Sequence, residues 1–239
     1  MILRRIDGDR HSEVLPVWKG LTVVIIAGGP SLTPEQVDLV RGAREADRIR
    51  CIVVNDAYLL APWADVHYAA DAQWHRWHTE GIPKPALRLS AEQVSDRWAG
   101  FRGVKCGIDS NGNVPADPAV HLLVRKEAQG NFGLSLDPRA LVTGRNSGFQ
   151  ALNLAVLAGA KRVILLGFDG KIAKDGNRHW FGDHPQIESV SCYPMYRQAM
   201  SMAESAIKGA GVEVINCSPG TAIDTFQKAE LQEVFSWPS

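Results

Sequence analysis

The chain has 239 residues, 45% of them hydrophobic and 22% charged, with 26 basic side chains balanced by 26 acidic ones. That length suits one large domain with a full core, and zero net charge argues against a protein that coats nucleic acid, which needs a basic excess or stripe. No window approaches the ~20 apolar residues of a membrane span, and Met1 to Arg5 lacks the apolar run of a secretory leader, so a cytoplasmic protein is expected.

Cys51, Cys106, Cys192 and Cys217 are scattered and form no CxxC pair, which removes the zinc ribbon and the redox motif. They are expected to be reduced and structural.

Strand-like and helix-like segments alternate along the chain. Leu21 to Ala27 is a β-branched apolar run, expected of a strand covered on both faces, and it breaks at Gly28-Gly29-Pro30-Ser31. Thr33-Pro34-Glu35-Gln36 reads as a helix start, with Thr33 as N-cap, Pro34 in the first turn and Gln36 closing a capping box. That helix should run to about Ala46, followed by strands at Ile52 to Val54 and Val66 to Ala70. Residues 81–138 hold short apolar patches among turn signals and read as a less regular insertion that lines or covers a site. The regular pattern then resumes with a helix from Ser147 to Ala158, ended by Gly159, and a buried strand from Arg162 to Leu166. A helix over about Tyr193 to Lys208 and a strand over Val212 to Asn216 complete it. The expected fold is a single α/β domain, Rossmann-like, with a mostly parallel sheet and helices on both faces.

In such a sheet ligands bind beyond the carboxyl ends of the strands. Gly28, Gly29, Pro30 and Ser31 follow the first strand, where glycines let backbone N–H groups approach an anion; a tight strand-to-helix turn would need them as well. The turn is neither GxGxxG nor GxxxxGK. Asn55 and Asp56 follow the second strand, Asp71 the third, Asp169 the next strong one, and Asn216 and Ser218 the last. Taken singly these are turn formers and caps; taken together they suit ribose hydroxyls and a base edge. Thr143, Asn146, Ser147 and Gly148 surround a helix start that suits phosphate or carboxylate, with Arg145 as a charge partner; a Ser or Asn N-cap with turn glycines reads the same way. The loop from Asn177 to Pro185 holds His179, Asp183 and His184, where a histidine suits proton transfer and Asp183 would orient it. The two histidines name no third and fourth metal ligand, and no Asp-x-Asp or GxSxG motif is present. His75 and His78, beside Trp74 and Trp77, read first as packing residues; exposed tryptophans there would also serve a homo-oligomer contact.

The succession Ile25-Ile26-Ala27-Gly28-Gly29-Pro30-Ser31-Leu32, Asn55, Ser147-Gly148, Leu166-Gly167-Phe168-Asp169, a His-bearing loop and Asn216-Cys217-Ser218-Pro219 resembles the bacterial sialyltransferases of the Campylobacter type. It is similar also to the MptE-like group, which includes archaeal hydroxymethylpterin diphosphokinases, and around His179 to Pro185 to proteins of tailed phages. The resemblance implies a Rossmann-like fold with Gly29, Pro30, Ser31, Asn55, Ser147 and Gly148 on a nucleotide, and His184, or else His179, as general base. The sialyltransferase turn carries an Asn between its glycines that this sequence lacks, so the resemblance does not name the donor.

The leading expectation is a metal-independent, glycosyltransferase-like transferase with a nucleotide or nucleotide-sugar donor and no tightly bound cofactor. Its acceptor hydroxyl would belong to a glycan or a modified nucleobase. One rival is a pyrophosphokinase using ATP and Mg²⁺ on Asp71, Asp169 and Asp183. The other is a non-catalytic phage accessory or assembly protein in the host cytoplasm.

Overall fold

The computed structural model describes residues 2–7, 10–15, 17–108, 117–126, 132–182 and 192–237. Strands β1 (Ile2–Asp7) and β2 (Arg10–Leu15) pair antiparallel as a separate two-stranded sheet, a hairpin that the sequence reading does not anticipate.

The main sheet is nine-stranded, parallel and open. Its strands are β3 (Thr22–Ile26), β4 (Ile49–Val54), β5 (Val66–Tyr68), β6 (Val104–Ile108), β7 (Val120–Arg125), β8 (Ala140–Leu141), β9 (Arg162–Leu166), β10 (Glu213–Asn216) and β11 (Gln227–Lys228). Their spatial order is β11-β10-β9-β3-β4-β5-β6-β7-β8, and every neighbouring pair is parallel. From β3 the chain works outward to β8, then returns to place β9 on the other side of β3. The sheet therefore reverses its direction of winding between β3 and β9, and a crevice opens beyond the carboxyl ends of those two strands.

Two apolar layers follow from period-2 alternation in doubly covered strands. Val23 and Ile25 of β3 and Val163 and Leu165 of β9 face one core, with helices α4 (Ser147–Leu157) and α5 (Tyr193–Gly209). Val24, Ile26 and Ile164 face the other, with α1 (Pro34–Glu45), α2 (Ala72–Glu80), α3 (Ala91–Ala99) and α6 (Leu231–Ser236). The capping box at Thr33 and Gln36 forms as read, with Pro34 in the first turn. Helix α4 is buried on nearly every side, as an almost uniformly apolar helix must be.

The region read as a less regular insertion, residues 81–138, instead continues the sheet: it supplies α3, β6 and β7. Local pattern hides these strands because each carries polar residues. Lys105 in β6 is buried, yet it pairs with Asp117 at 2.8 Å and lies 4.2 Å from the centroid of Trp98. The turn signals Asn111-Gly112-Asn113 lie outside the described residues. Cys51, Cys106 and Cys217 are buried free thiols, and burial pushes Cys106 and Cys217 up to about 12, which leaves them inert. No described helix is long and apolar enough to cross a membrane.

Candidate active site

A cleft of about 670 Å³ lies at the switch point. Gly28 to Pro30 line it from β3, Asn55 and Asp56 from β4, Asp71 from the end of β5, Asn146 to Gly148 from the start of α4, and Asp169 and His179 from the segment after β9. Ten residues expected on a ligand are thus gathered here: Gly28, Gly29, Pro30, Asn55, Asp71, Asn146, Ser147, Gly148, Asp169 and His179. Asp183 and His184 lie outside the described residues.

The glycine turn is shaped by contact between two loops. Gly29 N–H donates to the Gly167 carbonyl at 3.0 Å, and a Cβ on Gly29 would run into that oxygen and into the Asp169 carboxylate. Ser31 donates to Asp169 Oδ2 twice, through its hydroxyl at 3.0 Å and its backbone N–H at 3.4 Å. Two of the three N–H groups of Gly28 to Ser31 are therefore engaged within the protein, and the phosphate-cradle expectation for the turn is narrowed to Gly28. Burial raises the Asp169 carboxyl above its usual range, with the Ser31 bonds opposing the shift.

Across the cleft, the start of α4 presents the positive end of a helix. Asn146 caps this helix by accepting from Phe149 N–H at 2.9 Å, and Ser147 Oγ accepts from Ala70 N–H at 3.3 Å, tying the helix start to the end of β5. A Cβ on Gly148 would press on the Phe168 ring, so only glycine lets the two segments meet. Arg145, Lys171 and Arg178 line the same cleft. Arg145 and Asn55 both hold φ at 52°, the left-handed region, as do Asp47 and Arg88 outside the cleft.

Four residues expected on the ligand do not line the cleft. The Ser31 hydroxyl is spent on Asp169. The Thr143 carbonyl accepts from Gln150 Nε2 at 2.7 Å, and its residue is buried. Asn216 Nδ2 donates to the Phe168 carbonyl at 3.3 Å, while Ser218 Oγ accepts from Phe168 N–H at 2.7 Å. These last two hold the Phe168-Asp169 loop in place rather than face outward. A strand-end residue has two faces to choose from, and sequence does not say which one its side chain takes.

His179 stands over the turn. Its Nδ1 is 3.3 Å from the Gly28 carbonyl, and Trp180 N–H donates to the same oxygen at 3.1 Å. A carbonyl oxygen only accepts, so this contact is a hydrogen bond when Nδ1 carries the hydrogen. The His179 ring is parallel to Phe181, with centroids 5.1 Å apart and planes within 4°.

Behind this wall lies a buried ionic and aromatic cluster. Asp56, fully buried, is 2.7 Å from Lys84 Nζ and 3.0 Å from His78 Nε2, and it accepts from Trp74 Nε1 at 3.3 Å. The Lys84 contact is a close ion pair rather than a well-aligned hydrogen bond. Tyr58 meets His67, Trp74, His78 and Trp98 edge-on at 5.6 to 5.9 Å. The packing reading of His75 and His78 is thus what the structure displays. Trp74 is buried and Trp77 half-buried in the cleft wall, which corrects the expectation of exposed tryptophans for a subunit contact. Burial drives His67 and His75 below the usual histidine range, so both are neutral.

Sequence reasoning missed Gln150, Lys171, Arg178 and Tyr193 in the cleft wall. Gln150 was findable, being a polar residue inside an otherwise apolar helix; it accepts from the Tyr68 hydroxyl at 2.7 Å. Among the described residues no group of three or more His, Cys, Asp or Glu gathers as a metal site would require. No family model, curated protein or solved structure matches this chain.

Proposed function

We propose that the protein is a transferase that holds a nucleotide-activated donor in the strand-end cleft and passes a sugar-like group to an acceptor hydroxyl of a glycan or modified nucleobase. The observation that carries this reading is the meeting, in one cleft, of a helix N-terminus, three cationic side chains and His179. The motif order that resembles the Campylobacter-type sialyltransferases supports it.

In the proposed step His179 Nε2 accepts the proton of the acceptor hydroxyl as that oxygen attacks the donor carbon. The bond from this carbon to the donor's phosphate oxygen breaks, and its electron pair leaves with the nucleotide. The α4 N-terminus, Arg145, Lys171 and Arg178 stabilise the departing charge, which is how a site without an Asp-x-Asp motif would support a phosphate leaving group. In this reading Asn55, Asp71 and Asp169, which line the cleft, contact the donor's hydroxyls and base edge.

The test is turnover of candidate nucleotide sugars by the wild type, His179→Ala and His184→Ala. Loss of a positioned general base costs roughly 10²–10⁴ in rate. His179→Ala should lose transfer while keeping nucleotide affinity. Full activity in His179→Ala, with loss in His184→Ala, would move the base to His184.

A further inference from the structure

Past its first residue, helix α4 carries two polar side chains, Gln150 and Asn153, which lie three apart on one face and are both buried. Both spend their amides on the chain that enters the helix. Asn153 Oδ1 accepts from Ser135 N–H at 3.1 Å and from Val142 N–H at 3.2 Å, and its Nδ2 donates to the Ser135 carbonyl at 2.8 Å. Gln150 Nε2 donates to the Thr143 carbonyl at 2.7 Å, and its Oε1 accepts from the Tyr68 hydroxyl, also at 2.7 Å. The Thr143 carbonyl only accepts, so it must face the NH₂ end of the amide, and Tyr68 takes the other end.

Val142 and Thr143 are thereby fastened to α4 from one side. Asn146 is fastened from the other: its carbonyl accepts from Gln150 N–H at 3.1 Å, and its side chain caps Phe149. Asn146 N–H closes the turn on the Thr143 carbonyl at 3.2 Å. Two residues must reverse the chain within this gap, and both take positive φ, Gly144 at 50° and Arg145 at 52°, as a type I′ turn requires. The closing bond does not select that turn, since types I and II close with the same bond. The Gln150 bond adds a fixed direction for the Thr143 carbonyl. Arg145 emerges from the turn into the cleft. Its Nη1 lies 3.9 Å from Met195 Sδ, a weak acceptor, which leaves most of its five N–H donors for solvent or a ligand.

We infer that Gln150, oriented by Tyr68, is a positioning residue that locks the 143–146 turn in its left-handed form and so delivers the Arg145 guanidinium to an anionic group of the ligand. The inference rests on the reading of the cleft as a nucleotide site, but the turn itself is measured without any ligand.

The experiment combines NMR of the turn with nucleotide titration. At positive φ the amide hydrogen and Hα of one residue lie close together, so a strong intraresidue HN–Hα NOE marks the left-handed form. Wild type should show it at Arg145. Gln150→Met removes the donor at similar volume, and adding Tyr68→Phe spares the hydroxyl left without its acceptor; whichever variant folds should weaken or lose the NOE. Val40→Ala, a core truncation on the opposite face of the sheet, should keep it, which separates positioning from general destabilisation. Affinity is then read by calorimetry with whichever of CMP, UDP, GDP and ADP raises the wild-type Tm. Arg145→Ala should weaken binding roughly 10–100-fold, the worth of a charge-assisted hydrogen bond. Gln150→Met should approach that loss, and adding Arg145→Ala to it should cost little more. An undiminished Arg145 NOE in the Gln150 variants, its absence from the wild type, or additive losses in the double variant would overturn the inference. Loss of the NOE as expected, with no nucleotide bound by the wild type, would leave the role of Gln150 in the turn standing and sink the nucleotide reading instead.

Discussion

Gly28 and Gly29 are adjacent in sequence but meet different surroundings, and substituting each with alanine separates a structural requirement from a binding one. A Cβ on Gly28 would lie 3.5 Å from His179 Nδ1, an ordinary contact. A Cβ on Gly29 would collide with the Gly167 carbonyl and the Asp169 carboxylate, and the former is backbone that cannot swing aside. Forcing an extra carbon into a packed site costs about 1–3 kcal/mol. Spreading the loops also stretches the Gly29 N–H bond to Gly167, worth about 1 kcal/mol. Gly29→Ala should therefore lose roughly 2–4 kcal/mol, a fall in Tm of roughly 4–16 °C at about 2–4 °C per kcal/mol for a chain of this size. Gly28→Ala should stay within about 1 kcal/mol of the wild type. Urea denaturation of both variants measures this. Equal destabilisation of the two, or a harmless Gly29→Ala, would refute the account of the contact between the loops that follow β3 and β9.

Two further predictions concern pH. His67 and His75 have folded-state pKa values depressed by burial, so their stabilising contribution is present above about 6.5 and is lost as pH falls through the depressed values. Each should add up to about 1.4 kcal/mol of lost stability per pH unit in that window, and His75→Gln should flatten the slope measured by urea titration between neutral and acidic buffer; an unchanged slope would contradict their burial as neutral rings. Asp169 has the opposite sign for its charge: its raised folded pKa gives a contribution present below 3.8 and lost as pH rises through the folded value. The stability of Asp169→Asn relative to wild type should accordingly be greater at neutral pH than in acid, and a pH-independent difference would count against a buried carboxylate.

Much of the architecture was legible because the segments that form it obey local rules. Val23 to Ile26 and Val163 to Leu166 are apolar runs buried on both faces, and Thr33, Pro34 and Gln36 spell out a helix start. The middle strands were not legible because their polar residues are satisfied at a distance. Lys105 of β6 finds Asp117 and Trp98, and no local period encodes such partners. The site was legible as an edge of the sheet but not as a set of side-chain directions. Asn55 and Asp71 line the cleft, while Asn216 and Ser218 turn inward to bond Phe168. Asp56, which follows Asn55 directly, is bound from behind by Lys84 and His78, two residues that its sequence neighbourhood does not suggest. The Gly28–Ser31 turn offers less to a ligand than its sequence suggests, because the Gly29 and Ser31 N–H groups bond Gly167 and Asp169.

The central claim is that a nucleotide binds in this cleft, and the most direct measurement is the Tm of the wild type and Arg145→Ala with CMP, UDP, GDP, ADP and their sugar conjugates. A ligand at ~100 times its Kd adds roughly 2.7 kcal/mol, which is a rise of roughly 5–11 °C for a chain of this size. The account predicts such a rise for the wild type with at least one base, reduced in Arg145→Ala, whose side chain lines the cleft beside the α4 N-terminus. No rise with any of these nucleotides, or an equal rise in Arg145→Ala, would contradict it.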